Sequence, residues 1–364
     1  MQQICKLPLL IALLAVVVLS GCSGKTIATP KIYWPPPPME PKMQWINSFS
    51  SADNFEKTAA QRQAEKFLGH KKLDFLQKPM SVAVDSAGLV YVADLDIGNI
   101  WSLDFAKKTM SLYSENVSVG LPVSLAIDSK DNLYVVDVKG GHVLVFDARR
   151  NPVKVIGQGD FGKPVFATVD EERGRLYVSD IIKNKVFVYD LGSGEKLFDF
   201  GGRGSGAGAL HGPQGIAIDK EGRVFVAEQF NARVQVFDAQ GKHLYMFGKR
   251  GDKPFEFEGP RGLAFDREGN LFVAEVRKAA LFVFRPDGTP LTALGGKRTT
   301  HHLGFTFPSG VYIDRNQRVY VSDGMNRRVS IWQMLTPEYL AEHPLDVGSL
   351  REAGEKLQEI KPEE

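Results

Sequence analysis

The sequence predicts an all-β fold, and three observations lead to this prediction. Within Pro213–Asp238, the runs GIAID, RVFVAE and RVQVFD alternate apolar residues with small or polar ones, which is typical of strands with one buried face. An Asp-x-x-Gly turn from Asp219 to Gly222 separates the first two runs. Similar segments recur along the chain. Because one such meander is too small to be stable alone, we expect its copies to pack together.

Each copy opens with a proline and has an acidic residue at the end of its second strand. The opening prolines are Pro79, Pro122, Pro164, Pro213, Pro260 and Pro308. The acidic residues are Asp94, Asp137, Asp180, Glu228, Glu275 and Asp323. We expect each carboxylate to accept backbone N–H bonds in the turn that follows it. A repeat of roughly 40–50 residues with four strands is typical of a propeller blade, which predicts a six-bladed β-propeller of four-stranded antiparallel blades over residues 43–335.

The N-terminal segment is predicted to be a signal peptide over residues 1–21. Lys6 precedes an apolar run that is too short to span a bilayer core of roughly 30 Å. Leu19-Ser20-Gly21-Cys22 resembles the cleavage box of bacterial lipoproteins. The resemblance implies cleavage before Cys22 and covalent lipid on that cysteine, and Ser23 in place of Asp implies the outer membrane. The alternative is an ordinary secretory signal with a chance cysteine. Since Cys5 would leave with the signal, no internal disulfide is expected.

The rest of the chain divides into a linker, a closing strand, an insertion and a tail. Residues 22–42 read as a Pro-rich tether in polyproline II form, with a proline-rich ligand for a partner as the alternative. Residues 43–49 form a lone strand candidate, which could complete the last copy and close the ring, because an unclosed ring leaves two exposed sheet edges. A helix is predicted over 53–68 as an insertion before the first blade. Residues 336–364 form an acidic tail, with a possible short helix over 350–360.

The repeats resemble NHL repeats, whose signature is a Pro-x-Gly start, an Asp-x-x-Gly turn, an Ala-Asp hairpin end and Asn-x-Arg. The fourth copy matches nearly throughout, with Glu228 in place of Asp, and the sixth keeps Pro308-Ser309-Gly310 and Asn326-Arg327-Arg328. The second and fifth copies depart from the pattern at the hairpin, where Lys139-Gly140-Gly141 and Lys278-Ala279-Ala280 stand. The resemblance implies a six-bladed propeller. Some NHL propellers bind RNA or DNA, but predicted export and a formal net charge of +2 argue against a nucleic-acid partner.

The residue after each opening proline is expected at the mouth of the central channel, where propellers usually place their sites. These residues are Met80, Val123, Val165, Gln214, Arg261 and Ser309. They provide neither zinc nor calcium ligands, so no metal or other cofactor is expected there. Some propeller lyases related to NHL proteins use histidine at corresponding positions, and this chain departs from that pattern. A metal cluster of His211, His301 and His302 is the alternative to plain loop histidines.

Basic residues in the loops of the last three blades predict an electropositive sector that attracts an acidic protein or a glycan. The candidate partner-binding residues are Arg203, Gln214, Lys249, Arg250, Arg261, Lys297, Arg298 and Arg328. The alternative is that Arg233 and Arg328 are framework residues and the others are solvated. The predicted function is a lipid-anchored, non-catalytic scaffold of the cell envelope that presents these loops. A lyase or lactonase-like hydrolase with its site at the channel mouth is the alternative.

Overall fold

The computed structural model describes residues 31–55, 75–113, 119–345 and 348. The strands of the first three blades follow two N-terminal strands: β1 (Ile32–Trp34), β2 (Met43–Phe49), β3 (Pro79–Val84), β4 (Val90–Asp94), β5 (Asn99–Asp104), β6 (Thr109–Leu112), β7 (Pro122–Ile127), β8 (Leu133–Asp137), β9 (His142–Phe146), β10 (Pro152–Ile156), β11 (Pro164–Asp170), β12 (Arg175–Asp180), β13 (Lys185–Asp190) and β14 (Lys196–Gly201). The last three blades contain β15 (Pro213–Ile218), β16 (Val224–Glu228), β17 (Arg233–Phe237), β18 (His243–Phe247), β19 (Pro260–Phe265), β20 (Leu271–Glu275), β21 (Ala280–Phe284), β22 (Pro290–Gly295), β23 (Pro308–Ile313), β24 (Arg318–Asp323) and β25 (Arg328–Met334).

These strands form six antiparallel sheets that are arranged as a ring, which confirms the predicted six-bladed β-propeller. Blades 1 to 5 each hold four consecutive strands, beginning with β3, β7, β11, β15 and β19. Blade 6 begins with β23. The first strands of neighbouring blades pack against one another, and β23 packs against β3, so blade 6 lies beside blade 1.

The core of the propeller lies between adjacent blades. Each of six apolar clusters joins the facing surfaces of two neighbouring sheets. Between blades 4 and 5, for example, Phe225 and Val234 pack with Leu263, Val273 and Phe282. The second strand β16 is buried throughout because both of its faces contact a neighbouring blade, whereas the outer strand β18 alternates between half-buried and exposed residues. Alternation between more buried and more exposed side chains is therefore clearest in the outer strand, which lies farthest from the channel.

The glycine of the Pro-x-Gly start is required by the close packing of the first strands. A Cβ atom at Gly215 would lie 2.2 Å from the carbonyl oxygen of Arg261 in the next blade, which is far inside van der Waals contact. Blade 1 has Ser81 at the equivalent position. Its hydroxyl accepts a hydrogen bond from the Leu125 backbone N–H at 3.0 Å. This position therefore joins neighbouring blades, because Gly215 allows the strands to approach closely and Ser81 forms a hydrogen bond to the next blade.

Strand β2 closes the ring as predicted. It pairs antiparallel with β25, with Trp45 opposite Trp332 and Phe49 opposite Val329. The structure adds a strand that the sequence did not predict, because β1 pairs with β2 and makes blade 6 five-stranded.

The pairing of β1 corrects the predicted tether. Ile32 and Tyr33 are 9% and 3% exposed, and Lys42 donates its backbone N–H to the Trp34 carbonyl at 2.7 Å. Residues 32–42 therefore belong to the propeller and not to the predicted tether, and residues 22–30 of that prediction lie outside the described part of the chain. The reason is that the apolar side chains of β1 gain more from burial on blade 6 than from an extended solvated form.

Several predictions concern residues outside those that the structure describes. These are the signal peptide, Cys22, residues 56–68 of the predicted helix and the predicted tail helix over 350–360. At the start of the predicted insertion, Ala52–Asn54 forms a short 3-10 helix. Helix α1 (Pro337–Glu342) follows the last strand, with Thr336 as its N-cap. Within the described residues, no helix has the length and apolar character needed to cross a membrane.

Candidate functional site

Two kinds of loop emerge on one face of the ring, here called the top face. They are the hairpins between the second and third strands of each blade and the loops that lead from one blade into the next. The turns between first and second strands and between third and fourth strands lie on the opposite, bottom face. The residue after each opening proline is at the top end of a first strand, so the predicted channel-mouth residues belong to the top face.

Each hairpin acid binds its own hairpin to the loop that enters the same blade. In blade 3, the Asp180 carboxylate accepts backbone N–H bonds from Gly162 and Lys163 at 2.6 and 2.7 Å. It also accepts bonds from Ile182 and Lys183 in the hairpin at 2.9 and 2.7 Å. The other five carboxylates link the same two segments in their blades: Asp94, Asp137, Glu228, Glu275 and Asp323. The predicted backbone N–H bonds within the hairpin are confirmed for Asp94, Asp137, Asp180 and Glu275. Glu228 and Asp323 instead accept from the hairpin side chains of Asn231 and Asn326. The bonds to the entering loop are additional.

Three of the hairpin acids, Asp94, Asp137 and Glu275, have shifted pKa values but are buried away from any ligand. Burial raises the pKa of Asp94 and of Glu275, although backbone N–H donors oppose the change. For Asp137 burial also acts upward, but the N–H groups of Gly140 and Gly120 outweigh it and the pKa is lowered. A raised carboxyl pKa can indicate a catalytic acid. Asp94 and Glu275 are 0% exposed and accept bonds on both oxygens, so their role is structural.

Two of the predicted channel-mouth residues, Ser309 and Met80, are buried and belong to the contact between blades 6 and 1. Ser309 is 4% exposed, and its hydroxyl lies 3.3 Å and 3.1 Å from the carbonyl oxygens of Pro79 and Met80. It therefore joins blade 6 to blade 1. Met80 is 6% exposed and apolar, while Val123 and Val165 are half-buried.

A polar network does occupy the channel mouth at blades 4 and 5. Gln214 donates from Nε2 to Oε1 of Gln229 at 3.0 Å and accepts at Oε1 from the Arg261 Nε at 3.3 Å. The Arg261 guanidinium carbon lies 5.6 Å from the ring centre of Phe307. Burial lowers the pKa of Arg261 to about 10, so its side chain remains charged at neutral pH. The network presents a fixed positive charge beside an aromatic face.

Five of the predicted partner-binding residues are exposed on the top face: Arg203, Lys249, Arg250, Lys297 and Arg298. Arg250 also donates to the Phe230 carbonyl oxygen at 3.0 Å, and Lys249 lies 3.3 Å from Glu256. Together with other exposed basic residues on the loops of blades 3 to 6 they form what is here called the basic sector. Its members are Lys163, Lys183, Arg203, Lys249, Arg250, Lys253, Arg277, Lys297, Arg298 and Arg327. In these loops, all within the described part of the chain, Asp252 is the only exposed acidic residue, since the others are half-buried.

Arg328 does not belong to that surface. Its side chain is 8% exposed, and its guanidinium donates to the carbonyl oxygens of Thr300 and His301 at 2.8 and 3.0 Å. A third bond reaches Gly304 at 2.6 Å, and the Asp323 carboxylate lies 3.4 Å away. Burial is the largest influence on the pKa of Arg328 and lowers it. Arg328 is thus a framework residue that holds the loop entering blade 6.

The histidines considered as metal ligands lie in two separate loops. His211, before blade 4, packs on the ring of Phe230 at 4.9 Å. His302, before blade 6, packs on Trp45 of the closing strand at 4.2 Å. Across the ranges that the structure describes, no group of three or more His, Cys, Asp or Glu side chains is arranged to hold a metal ion.

A set of exposed side chains that the sequence interpretation missed stands two residues after each hairpin acid. These top-face rim residues are Asp96, Lys139, Ile182, Phe230, Arg277 and Met325. Ile182, Phe230 and Met325 are 65%, 53% and 61% exposed, although they are large and apolar. Aligning the six copies would have shown that this position varies from charged to apolar. The interpretation instead considered the residue after the proline, which the structure places partly in the framework.

The bottom face has a cavity of about 240 Å³ beside the channel, lined by residues of blades 1, 2, 3 and 6. Its carboxylates already accept bonds from the protein. Asp131 accepts from the backbone N–H and hydroxyl of Ser86 at 2.8 and 2.5 Å. Glu171 accepts from the same two groups of Ser129 at 2.8 and 2.5 Å. These acids link the bottom turns of adjacent blades, which accounts for their positions without a ligand.

The fold and the top-face geometry define a six-bladed β-propeller whose repeats are held together by buried hairpin acids. No family model matches the chain. A solved protein of unknown function from Bacteroides thetaiotaomicron has a TM-score of 0.61 at 15% identity, covering 84% of this chain and 83% of that one. A streptogramin B lyase has a TM-score of 0.54 at 12% identity, covering 71% and 94%. A virginiamycin B lyase from Staphylococcus aureus has a TM-score of 0.52 at 12% identity, covering 71% and 85%. At these identities the likeness shows the fold alone.

Two animal proteins match the sequence over short segments. Protein lin-41 of Caenorhabditis elegans is 51% identical over 45 residues, which are 12% of this chain and 4% of that protein. The E3 ubiquitin-protein ligase TRIM71 of Rattus norvegicus is 43% identical over 51 residues, which are 14% of this chain and 6% of that protein. The matched segments are thus a small part of either relative's length.

Proposed function

We propose that this chain is a lipid-anchored binding protein of a bacterial envelope, in which an NHL-type propeller presents its top-face loops to a protein or glycan partner without catalysing a reaction. The supporting observation is which side chains of the top face are buried and which are exposed. The six hairpin carboxylates are buried in bonds to the protein, whereas the basic sector and three apolar rim residues are exposed. Such a surface offers charge and contact area for recognition.

The NHL interpretation of the repeats rests on their motif positions, and the contacts give those positions physical roles. Gly215 allows close strand packing, Asp219 accepts the Arg223 backbone N–H within its turn at 2.8 Å, and Asn231 donates to Glu228 at 2.6 Å. These contacts account for the motif as framework. Any binding specificity then belongs to positions that differ between blades.

Anchoring is proposed to act through lipid on Cys22, with the protein at the outer membrane. Because β1 begins at Ile32, the linker from Cys22 is about ten residues and can span at most about 35 Å. We expect Cys22→Ser to move the protein from the membrane fraction to the soluble fraction, because two or three acyl chains supply the anchoring energy. Mass spectrometry of the N-terminal peptide measures the lipid directly. A Cys22→Ser protein that stays in washed membranes would contradict the lipid anchor.

The binding proposal is tested by photocrosslinking in cells from position 253 on the top face, where Lys253 is exposed. Reversing Lys249, Arg250, Lys297 and Arg298 to Glu is expected to lower capture of the top-face partner at least about tenfold, since like charges then oppose an acidic surface. The matched control reverses four exposed basic residues of the bottom turns: Lys130, Arg149, Lys242 and Arg285.

Two results would go against the proposal. Equal capture by the top-face and bottom-turn variants would remove the basic sector from binding. The enzyme alternative is supported only by the shared fold of the lyases. A stoichiometric zinc or calcium ion in purified protein that is lost on changing His211 or His301 would favour that alternative.

A further inference from the structure

We propose that Ile182, Phe230 and Met325, within the basic sector, bind an acidic segment of another protein that brings apolar side chains of its own. This inference rests on the proposed binding function and narrows its partner to a protein.

The first step is that the fold does not require apolar side chains at these positions. The equivalent rim residues in blades 1, 2 and 5 are Asp96, Lys139 and Arg277, so the same hairpin accepts charged residues. The three apolar residues occur only in blades 3, 4 and 6, which are blades of the basic sector. Single exposed hydrophobic residues are ordinary, but a recurrence at one structural position facing one direction indicates a contact surface.

The second step is that two of these side chains are held in place before any partner arrives. The Phe230 ring packs on His211 at 4.9 Å and lies over Gly212, where a Cβ atom would be 2.4 Å from its Cδ2. Ile182 lies over Gly162 in the same way, since a Cβ atom added to Gly162 would be 3.1 Å from the Ile182 Cβ. Arg250 donates to the Phe230 carbonyl and braces that hairpin. A side chain that is already ordered costs less entropy on binding, which suits an anchor residue.

The third step concerns the chemistry of the occupant. The surrounding exposed side chains are basic, with Asp252 as the one exposed acid in the loops of blades 3 to 6, so the complementary surface is acidic. Single-stranded nucleic acids are held by stacking of their bases on several aromatic side chains along a basic groove, and sugar rings likewise pack on aromatic faces. Phe230 is the single aromatic residue of the rim, and Ile182 and Met325 offer aliphatic area instead. That combination fits apolar protein side chains flanked by Asp and Glu.

The test uses the full chain purified in detergent and a displayed library of random peptides as the probe. Selected peptides are expected to combine Asp or Glu with apolar residues. Their affinity should fall at least about tenfold for each of Ile182→Ser, Phe230→Ser and Met325→Ser, as for truncation of an interface anchor. The controls are Val153→Ser, Leu197→Ser and Leu244→Ser, which remove apolar residues of outer strands that are 44–55% exposed and should leave affinity unchanged. Thermal melting checks that every variant is folded.

The inference is overturned if selected peptides lack acidic residues, bind the rim variants as well as the parent chain, or do not emerge at all. It is also overturned if the parent chain binds only glycans on an array or single-stranded RNA, and if the rim variants lose that binding. A rim-dependent glycan would leave the proposed binding function standing. Absence of any crosslinked partner at the top face in cells would defeat the proposed function itself.

Discussion

Replacing Glu228 with alanine is expected to lower the free energy of unfolding by about 3–5 kcal/mol, because it leaves a buried arginine without its counter-charge. Glu228 is 0% exposed and lies 2.5 Å from the Arg233 Nε. It also accepts from the His211 backbone N–H at 2.7 Å and from the side chains of Asn231 and Gln235 at 2.6 and 2.9 Å. The substitution therefore strands several buried donors at once, each with a desolvation cost.

Urea unfolding followed by intrinsic fluorescence measures this loss. The control is Glu40→Ala, which removes an exposed ion pair with Lys42 and should leave the unfolding midpoint unchanged. Glu228→Gln is expected to fall between the two, since one carbonyl oxygen can still accept from His211 or Arg233. A Glu228→Ala midpoint equal to that of Glu40→Ala would show that the loop entering blade 4 is held by other contacts.

The blade architecture could be predicted because each copy carries its own local signals. Opening prolines, turn aspartates and hairpin acids repeat in the sequence. The two kinds of acid have short-range roles that the structure bears out, as with the bond of Asp219 to Arg223 and the bonds of Asp180 to Ile182 and Lys183. The closing strand β2 was also predictable, because the last copy lacks a fourth strand. These inferences depend on periodicity and local turns, which sequence preserves.

Features that depend on long-range packing were not predicted. Strand β1 has three residues beside a proline run, so its composition indicates a linker, and only its register on β2 makes it a strand. Arg328 and Arg298 are both loop arginines in the sequence, yet one is buried in carbonyl contacts and the other is exposed. From the sequence, the apolar rim residues are expected to be buried at the ends of strands, whereas in the structure they are 53–65% exposed. Burial is decided by neighbouring blades and not by local pattern.

Substituting Phe49 with alanine is also expected to cost about 3–5 kcal/mol of folding free energy, the range for deleting a large aromatic side chain from a core. Phe49 is 0% exposed on the closing strand. It lies in the apolar cluster between blades 6 and 1, with its ring 4.9 Å from Phe55 and 5.6 Å from Phe105. The loss of stability should weaken the pairing of β2 with β25, because β2 covers the edge of β25 and Phe49 lies opposite Val329.

The matched control is Ile46→Ala on the same strand, where the side chain is 39% exposed and contributes little to that cluster. Urea unfolding compares the two variants, and hydrogen exchange reports whether β25 loses protection when Phe49 is truncated. If β2 were a dispensable addition to an already closed ring, both variants would unfold like the parent chain and β25 would remain protected. A large loss confined to Phe49→Ala, with faster exchange in β25, would mean that the N-terminal strand is the element that closes the propeller.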